Sequence, residues 1–429
     1  MDIVVVGGGP AGRTAAIEAS SIGENVILVE RDKIGGTCLN EGCVIVTGLN
    51  DVAKFINDAK NFKNLGLIED DYQLRFDNVI KGVKETVAKI RHILETETLD
   101  AGVEIVRGNA SLEEGKVILD SEEIQYDKLI IATGAKPFIP QTEGFENAIT
   151  YKDILNLTEL PEELIIVGSG VIAAEFANVF SSMGTNVNIL CRNRFLGMLD
   201  EDVKKYVTKN LLHNVTIHEN LGVNKIYEGG ISTDKGDMSG LVLFATGMTP
   251  NSEIASHIVD LGDKNNIVVN KRMQTSHEDI YAAGDVTGGI GNTPVARAEG
   301  VTAARNACGI FKEMDYRFIP SAISLQQDVA FINSENKNDG ISGHMKGSAG
   351  PGSFWRVHDG KTGFTKINVS ENGDINEIFS ISPSSRTSMA YMSKLLREGQ
   401  KVDDFDDFME VHPSTDAIYK LIRFFARFE

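Results

Sequence analysis

The sequence predicts an α/β fold, with two Rossmann-like strand–helix–strand (βαβ) nucleotide-binding units followed by a smaller C-terminal α+β unit. Three observations carry that prediction. Two glycine-rich turns, in "VVVGGGPAG" (residues 4–12) and "IIVGSGVIA" (165–173), each follow an apolar run and open a helix. Two similar segments, "LIIATGAKPFIP" and "LVLFATGMTPN", come later, one per unit, and read as an internal duplication. After about Asp315 the pattern changes to short strands and two helices. The expected organisation is 1–147 and 266–314 as two parts of a first nucleotide-binding domain, 148–265 as a second, and 315–429 as a C-terminal unit.

The opening "DIVVVGGGPAGRTAAIEASSIGENVILVE" reads as strand, turn, helix, strand. Its first strand is continuously apolar, as a parallel strand buried on both faces should be. Gly7, Gly9 and Gly12 form G-x-G-x-x-G. The first permits the tight turn, the second lets a pyrophosphate reach the backbone, and the third lets helix and strand pack closely. The helix N-terminus then offers free N–H groups to the phosphates. Glu30 ends the second strand, where an acidic residue holds ribose hydroxyls.

The stretch "GGTCLNEGCVIVTG" places Cys38 and Cys43 five apart. Residues five apart on a regular helix are separated by about 7.5 Å of rise, whereas disulfide Cα atoms usually lie about 4.4–6.8 Å apart. A bridge therefore needs a distorted turn or a cysteine before the helix, and Gly35 and Gly36 can supply the bend. A redox couple, a metal site and two inert thiols all remain open on spacing alone. Zinc is disfavoured, because no second Cys/His pair has the right spacing.

A polar-faced helix is expected from Tyr72 to about Leu99. Short strands then follow around "VEIVRGNASL", "KVILD" and "EIQYDKLIIATG", returning to the main sheet. The second unit begins at "ELIIVGSGVIAAEFANVFSSMGTNVNILCRNRF", with Gly168, Gly170 and Ala173 in the fingerprint. At the position of Glu30 it carries Cys191, then Arg192 and Arg194. Without a carboxylate there, two guanidiniums could bind a 2′-phosphate, so NADPH is expected over NADH. Residues 214–239 are polar and glycine-rich, and a trimmed sheet is expected there. "TSHEDIYAAGDVTGG" ends a strand at Gly284-Asp285, where ligands of open α/β sheets bind. "TPVARAEGVTAARNA" reads as a helix with a small-residue face. Beyond Asp315, "SRTSMAYMSKLLREG" and "STDAIYKLIRFFARF" read as helices among short strands.

Composition excludes several classes. The 429 residues carry a formal charge of −19, which works against nucleic-acid and anionic-membrane partners. No apolar run of about 18 residues exists, so no membrane span is expected. The N-terminus lacks a basic leader and reads at once as a strand, so a cytoplasmic protein is expected. Four cysteines argue against a structural disulfide framework.

These motifs together resemble the class I pyridine nucleotide-disulfide oxidoreductases, the family of lipoamide dehydrogenase, glutathione reductase and mercuric reductase. The resemblance spans nearly the whole chain, and its most specific motif is G-G-T-C-x-N-x-G-C. It implies FAD held by Gly7, Gly9, Gly12, Glu30, Thr37, Thr133, Gly134, Gly284 and Asp285. It implies NADPH at Gly168, Gly170, Arg192 and Arg194, and electron flow through the flavin to a Cys38–Cys43 disulfide. Cys43 is then the flavin-facing thiolate, Cys38 the interchange thiol, and no metal is needed. The substrate is a small-thiol or small-protein disulfide. His412, in "VHPSTDAIYK", is the acid–base residue, reaching the site of the other subunit of a homodimer.

Besides the polar, glycine-rich segment 214–239, which is shorter than the family pattern, two departures stand out, and the cysteine count separates the substrates. Thr47 takes the place of a lysine that normally pairs with the residue matching Glu175. Ala417, not an acid, lies five positions after His412, with Asp416 one residue earlier. No cysteine follows Cys308, unlike mercuric reductase or high-molecular-weight thioredoxin reductase. Two alternatives are an NAD(P)H oxidase or diaphorase in which the cysteines are peripheral, and a flavin-binding redox sensor with a slow cysteine switch.

Overall fold

The structure, a computed structural model, describes residues 1–69, 72–119, 122–333, 340–414 and 416–427. The first sheet is wholly parallel, in the order Ile280–Ala282, Lys128–Ile131, Asp2–Val6, Asn25–Glu30, Glu104–Arg107. The second is also parallel, in the order Val215–His218, Asn186–Leu190, Glu163–Val167, Leu241–Phe244, Ile149–Thr150. Their central strands are buried, as the apolar runs require.

The duplication is visible residue by residue. Gly7 N–H donates to Val29 O, and Gly168 N–H to Leu190 O. Ala132 N–H donates to Val6 O, and Ala245 N–H to Val167 O. Gly7 therefore corresponds to Gly168, and Glu30 to Cys191. A Cβ on Gly7 would lie 2.3 Å from Ala132 O, and one on Gly168 2.1 Å from Ala245 O. Both turns need glycine for the same close approach.

Each half also carries a three-stranded antiparallel meander, Ala110–Glu113 to Glu122–Gln125 in the first and Val223–Tyr227 to Gly236–Ser239 in the second. Where a trimmed sheet is expected, residues 214–239 hold the strand Val215–His218 and the second three-stranded meander. Ala255 and Val259, before the expected limit at 265, share a hydrophobic cluster with Val4 and Val6 of the first sheet.

Two strands tie the halves together. Ala135–Pro137 pairs antiparallel with Met248–Pro250. Thr133 Oγ1 donates to Asn251 O at 2.7 Å, and Asn251 Nδ2 donates back to Thr133 O at 2.9 Å. The two A-T-G turns therefore interlock at one place.

Helix Pro10–Ile22 packs on helix Thr293–Ala307 through alanines and Gly300, where a Cβ would lie 2.3 Å from Ala11 O. The C-terminal unit is a five-stranded antiparallel sheet, in the order Ser321–Ile323, Asp328–Asn333, Ile375–Ser382, Phe364–Val369, Ile341–Lys346. Helices Ser385–Arg397 and Ile418–Phe425 share its core. The last helix is shorter than expected, and Thr415 and Phe428 of that expectation lie outside the described residues. The helix expected from Tyr72 starts at Phe76.

Among the described residues no helix is long and apolar enough to cross a membrane.

Candidate functional site

One cavity of about 1970 Å³ runs between both glycine turns, the cysteine stretch and the edge of the C-terminal sheet. The first turn and its surroundings fit a dinucleotide. Gly8 N–H donates to Glu30 Oε2 at 2.6 Å and Asp32 N–H to Oε1 at 2.8 Å, which fixes the carboxylate at the cavity wall. Gly9 lies open beside Gly36, and a Cβ on Gly36 would come within 2.7 Å of Gly9 Cα. Gly12 does not line the cavity; a Cβ there would meet Gly7 O at 1.9 Å, so its role is packing. Thr37, Thr133, Gly134, Gly284 and Asp285 all line the cavity. Asp285 is the informative one. Burial pushes its carboxyl pKa up, and no described protein group donates to it. A carboxylate so placed is suited to accept from a ligand hydroxyl. Its turn is held by Glu299, whose Oε2 accepts from Gly284 N–H at 2.7 Å.

The cysteine pair departs from a regular helix, as its spacing requires. Cys38 sits in the one-turn helix Gly36–Asn40, and Cys43 begins the long helix Cys43–Asn64. Asn40 holds the break, its amide donating to Gly36 O at 3.0 Å and Ile34 O at 3.1 Å while accepting from Arg91 Nε at 2.9 Å. Both cysteines are thiols and hydrogen-bond each other. The bond from Cys43 and one from Thr293 outweigh burial and lower the Cys38 pKa to about 6. Cys43 moves the opposite way, because its proton is shared with Cys38, with partial desolvation and the Glu175 carboxylate also disfavouring its charge. The pair thus loses its first proton easily and holds its second.

Thr47 does not stand in for a lysine. Its hydroxyl donates back to Cys43 O at 2.9 Å. Glu175 is nevertheless not orphaned. Its Oε1 accepts from Ser324 N–H at 2.7 Å, and Arg386 Nη2 donates to Ser324 Oγ. Arg386 Nε also pairs with Asp328 at 2.8 Å, and Asp328 with Lys54 on the cysteine helix at 3.0 Å. Burial still raises the Glu175 pKa. Sequence reasoning missed Ser324, Asp328 and Arg386, since no motif marks them and they lie far from Glu175 in sequence.

At the second turn, Gly168, Gly170 and Arg192 line the cavity. The expected fork of two arginines does not form. Arg194 instead forms an exposed ion pair with Glu201 and does not line the cavity. His412 is exposed and is not among the cavity-lining residues of its own chain. Asp416, one residue before the position of the usual acid, is buried, accepting from Ser380 Oγ at 3.1 Å and Ile418 N–H at 3.1 Å. Among the described residues no group of three or more His, Cys, Asp or Glu could hold a metal ion.

Comparisons agree with this geometry. The family described as pyridine nucleotide-disulphide oxidoreductase matches residues 1–300. An uncharacterized protein of Methanocaldococcus jannaschii is 32% identical over 99% of this chain and 98% of its own. A dihydrolipoyl dehydrogenase of Bacillus subtilis is 29% identical over 96% of each chain. A mercuric reductase of Staphylococcus aureus is 31% identical over 77% of this chain and 64% of its own. The crystal structure of LpdA from Mycobacterium tuberculosis superposes with a TM-score of 0.89 over 99% of both chains at 21% identity, which supports the fold.

The raised Glu175 pKa sets a stability signature. A carboxyl raised above its ordinary 4.5 costs the folded state only when ionised, so the cost is absent at low pH and present above the folded pKa. Glu175→Gln should therefore raise Tm relative to wild type at about pH 8 and match it near about pH 4. An equal or larger gain at the acid end contradicts this.

Proposed function

The chain belongs to the pyridine nucleotide-disulphide oxidoreductases, and we propose that within that family it is an FAD-dependent, NADPH-linked disulfide reductase. The observation that carries this reading is the Cys38–Cys43 pair, held in contact in the same cavity as both glycine turns. FAD bound in the first half would accept two electrons from the nicotinamide and pass them to the cysteine disulfide.

The residues of the chain then have definite tasks. Glu30, Gly9 and Asp285 hold the first dinucleotide by its hydroxyls and phosphates. Arg192 faces a 2′-phosphate where Glu30's counterpart is Cys191, a neutral thiol that donates to Gly168 O. One guanidinium rather than two supports NADPH. In the reduced pair, the Cys38 thiolate attacks one sulfur of the substrate disulfide. A mixed disulfide forms and one substrate thiolate leaves, taking a proton. Cys43 then attacks Cys38, the second substrate thiol leaves, and the Cys38–Cys43 bond closes. Overall one disulfide becomes two thiols for two electrons and two protons.

The proton donor in this scheme is His412 of a second copy in a homodimer. Exposure of His412 outside its own cavity supports that placement. An imidazole can take a proton at one ring nitrogen and give it from the other, which suits the task. The disulfide is that of a small thiol or small protein, and the resemblance to dihydrolipoyl dehydrogenases adds lipoamide to the candidates.

Steady-state NADPH oxidation against lipoamide, cystine, glutathione disulfide and a protein disulfide tests the reading. At least one should be reduced, and Cys38→Ser should lose that turnover by about a thousandfold or more. Turnover retained in Cys38→Ser, with oxygen or quinone as acceptor, favours an oxidase or diaphorase instead. Arg192→Ala should lower kcat/KM for NADPH by about tenfold or more, the worth of one charge-assisted hydrogen bond, and leave NADH unchanged. An equal fall for both nucleotides contradicts the 2′-phosphate contact.

A further inference from the structure

Four tyrosine hydroxyls of this protein meet oxygen or backbone nitrogen. Tyr126 Oη donates to Glu113 O, Tyr281 Oη to Asn306 O and Tyr316 Oη to Glu299 Oε1, while Tyr206 Oη accepts from Gly363 N–H. Such partners are what a polar group out of water requires. Tyr151 differs. It is only 5% exposed and it lines the cavity. Among the described residues its hydroxyl meets one partner, Met248 Sδ at 3.5 Å. A thioether is a weak acceptor, so the phenol O–H is left nearly unmet. The residue is held in place from both sides. It follows Ile149–Thr150, the edge strand of the second parallel sheet, and begins the short helical turn Tyr151–Asn156, which Thr150 and Asp153 cap. The next residue, Lys152, pairs with Glu41 of the cysteine stretch at 3.1 Å. Burial raises the Tyr151 pKa, and the Glu41 and Asp285 carboxylates raise it further, so the hydroxyl keeps its hydrogen at neutral pH. Asp285 is the converse case, a cavity carboxylate to which no described protein group donates.

We propose that Tyr151 is a further cofactor-binding residue, whose hydroxyl leaves Met248 and donates to the flavin end of bound FAD. The proposal rests on the FAD-binding part of the reading above. A ligand that answers both unmet groups must offer a hydroxyl to the Asp285 carboxylate and an oxygen or nitrogen acceptor to the Tyr151 phenol. The flavin end of FAD has both, in its ribityl hydroxyls and in the carbonyl oxygens and ring nitrogens of the flavin itself. Glu30 and Gly9 mark the ribose and phosphate part of the same path, so the flavin end lies beyond them, toward Asp285 and the cysteine stretch. The two carboxylates that act on Tyr151 both belong to the first half and none belongs to the second, which favours FAD over the nicotinamide nucleotide. Binding then exchanges a hydrogen bond to sulfur for a stronger one to oxygen or nitrogen. Tyr151 thus ties the edge of the second sheet to the cofactor of the first.

The test uses the full chain loaded with radiolabelled FAD and chased with excess unlabelled FAD. Tyr151→Phe keeps the ring and loses the hydroxyl. It should release FAD about fivefold faster than wild type, the worth of one hydrogen bond. Met248→Leu keeps much of the shape of the wall and removes the sulfur. It should release FAD no faster than wild type. The Kd for NADP+ of FAD-loaded Tyr151→Phe should equal that of wild type. Equal release from Tyr151→Phe and wild type overturns the proposal. The same acceleration in both variants, as mere loosening of the wall would give, overturns it too. Unchanged release with a raised Kd for NADP+ would assign the phenol to the nicotinamide nucleotide and overturn it as well. Faster release from Tyr151→Phe alone, in a protein that reduces no disulfide, would sink the reductase reading and leave this one standing. Unchanged release in a protein with normal disulfide turnover would do the reverse.

Discussion

Everything chemical in this protein depends on an interrupted helix. Had Gly36 to Asn64 formed one continuous helix, the sulfurs of Cys38 and Cys43 would stand about 7.5 Å apart along the axis and point in different directions. The chain prevents this with a one-turn helix, an asparagine that consumes the loose carbonyls, and Gly42, where a Cβ would come within 3.0 Å of Thr37 O. The break brings the two thiols together at the start of a 22-residue helix. That helix then carries their position into the rest of the molecule. Asn50 on it donates to Leu325 O in the C-terminal unit and accepts from Asn178 on the helix after the second glycine turn. These amides are buried, so leaving either bond unmade costs about 1–3 kcal/mol.

The same three parts meet again in charge. Lys54, Asp328, Arg386, Ser324 and Glu175 form a continuous chain of contacts from the cysteine helix, through the C-terminal sheet, to the second nucleotide-binding half. A lysine one turn after Cys43 is absent, and the cation that answers Glu175 comes from Arg386 through a serine. The charge is thus displaced away from the cysteines and toward the C-terminal unit. Asp328 is buried while Lys54 and Arg386 are partly exposed, so removing either cation leaves that carboxylate less well paired, and docking of the C-terminal unit meets the electrostatics of the site in this network.

The duplicated halves were legible in the sequence because their demands are local. Gly7 and Gly168 each face a carbonyl at a distance no side chain could survive, and such a demand leaves an obligatory glycine beside an apolar strand. The cysteine motif was legible for the same reason. What escaped was set by distant partners. Arg194 reads as a phosphate ligand until Glu201 claims it. Asp416 stands next to the position of the usual acid in sequence, yet Ser380 and Ser382 draw it under the sheet. The second meander reads as a trimmed sheet because its sequence is polar and glycine-rich, although Val223–Tyr227, Gly230–Thr233 and Gly236–Ser239 pair into three strands. Thr293 carries no motif at all; only the fold brings it to a sulfur 255 residues away in sequence.

The central claim is that the cysteine pair and the nucleotide-binding halves form one path for electrons. Anaerobic titration of the flavin-loaded protein with NADPH, counting free thiols and recording the visible spectrum at each step, tests it most directly. Of the four cysteines, counted after denaturation because Cys191 is buried, two should react in the oxidised protein and all four after one equivalent of NADPH, with a long-wavelength band in the native protein that is lost in Cys43→Ser. Flavin bleaching at one equivalent, with the thiol count unchanged, would contradict the account.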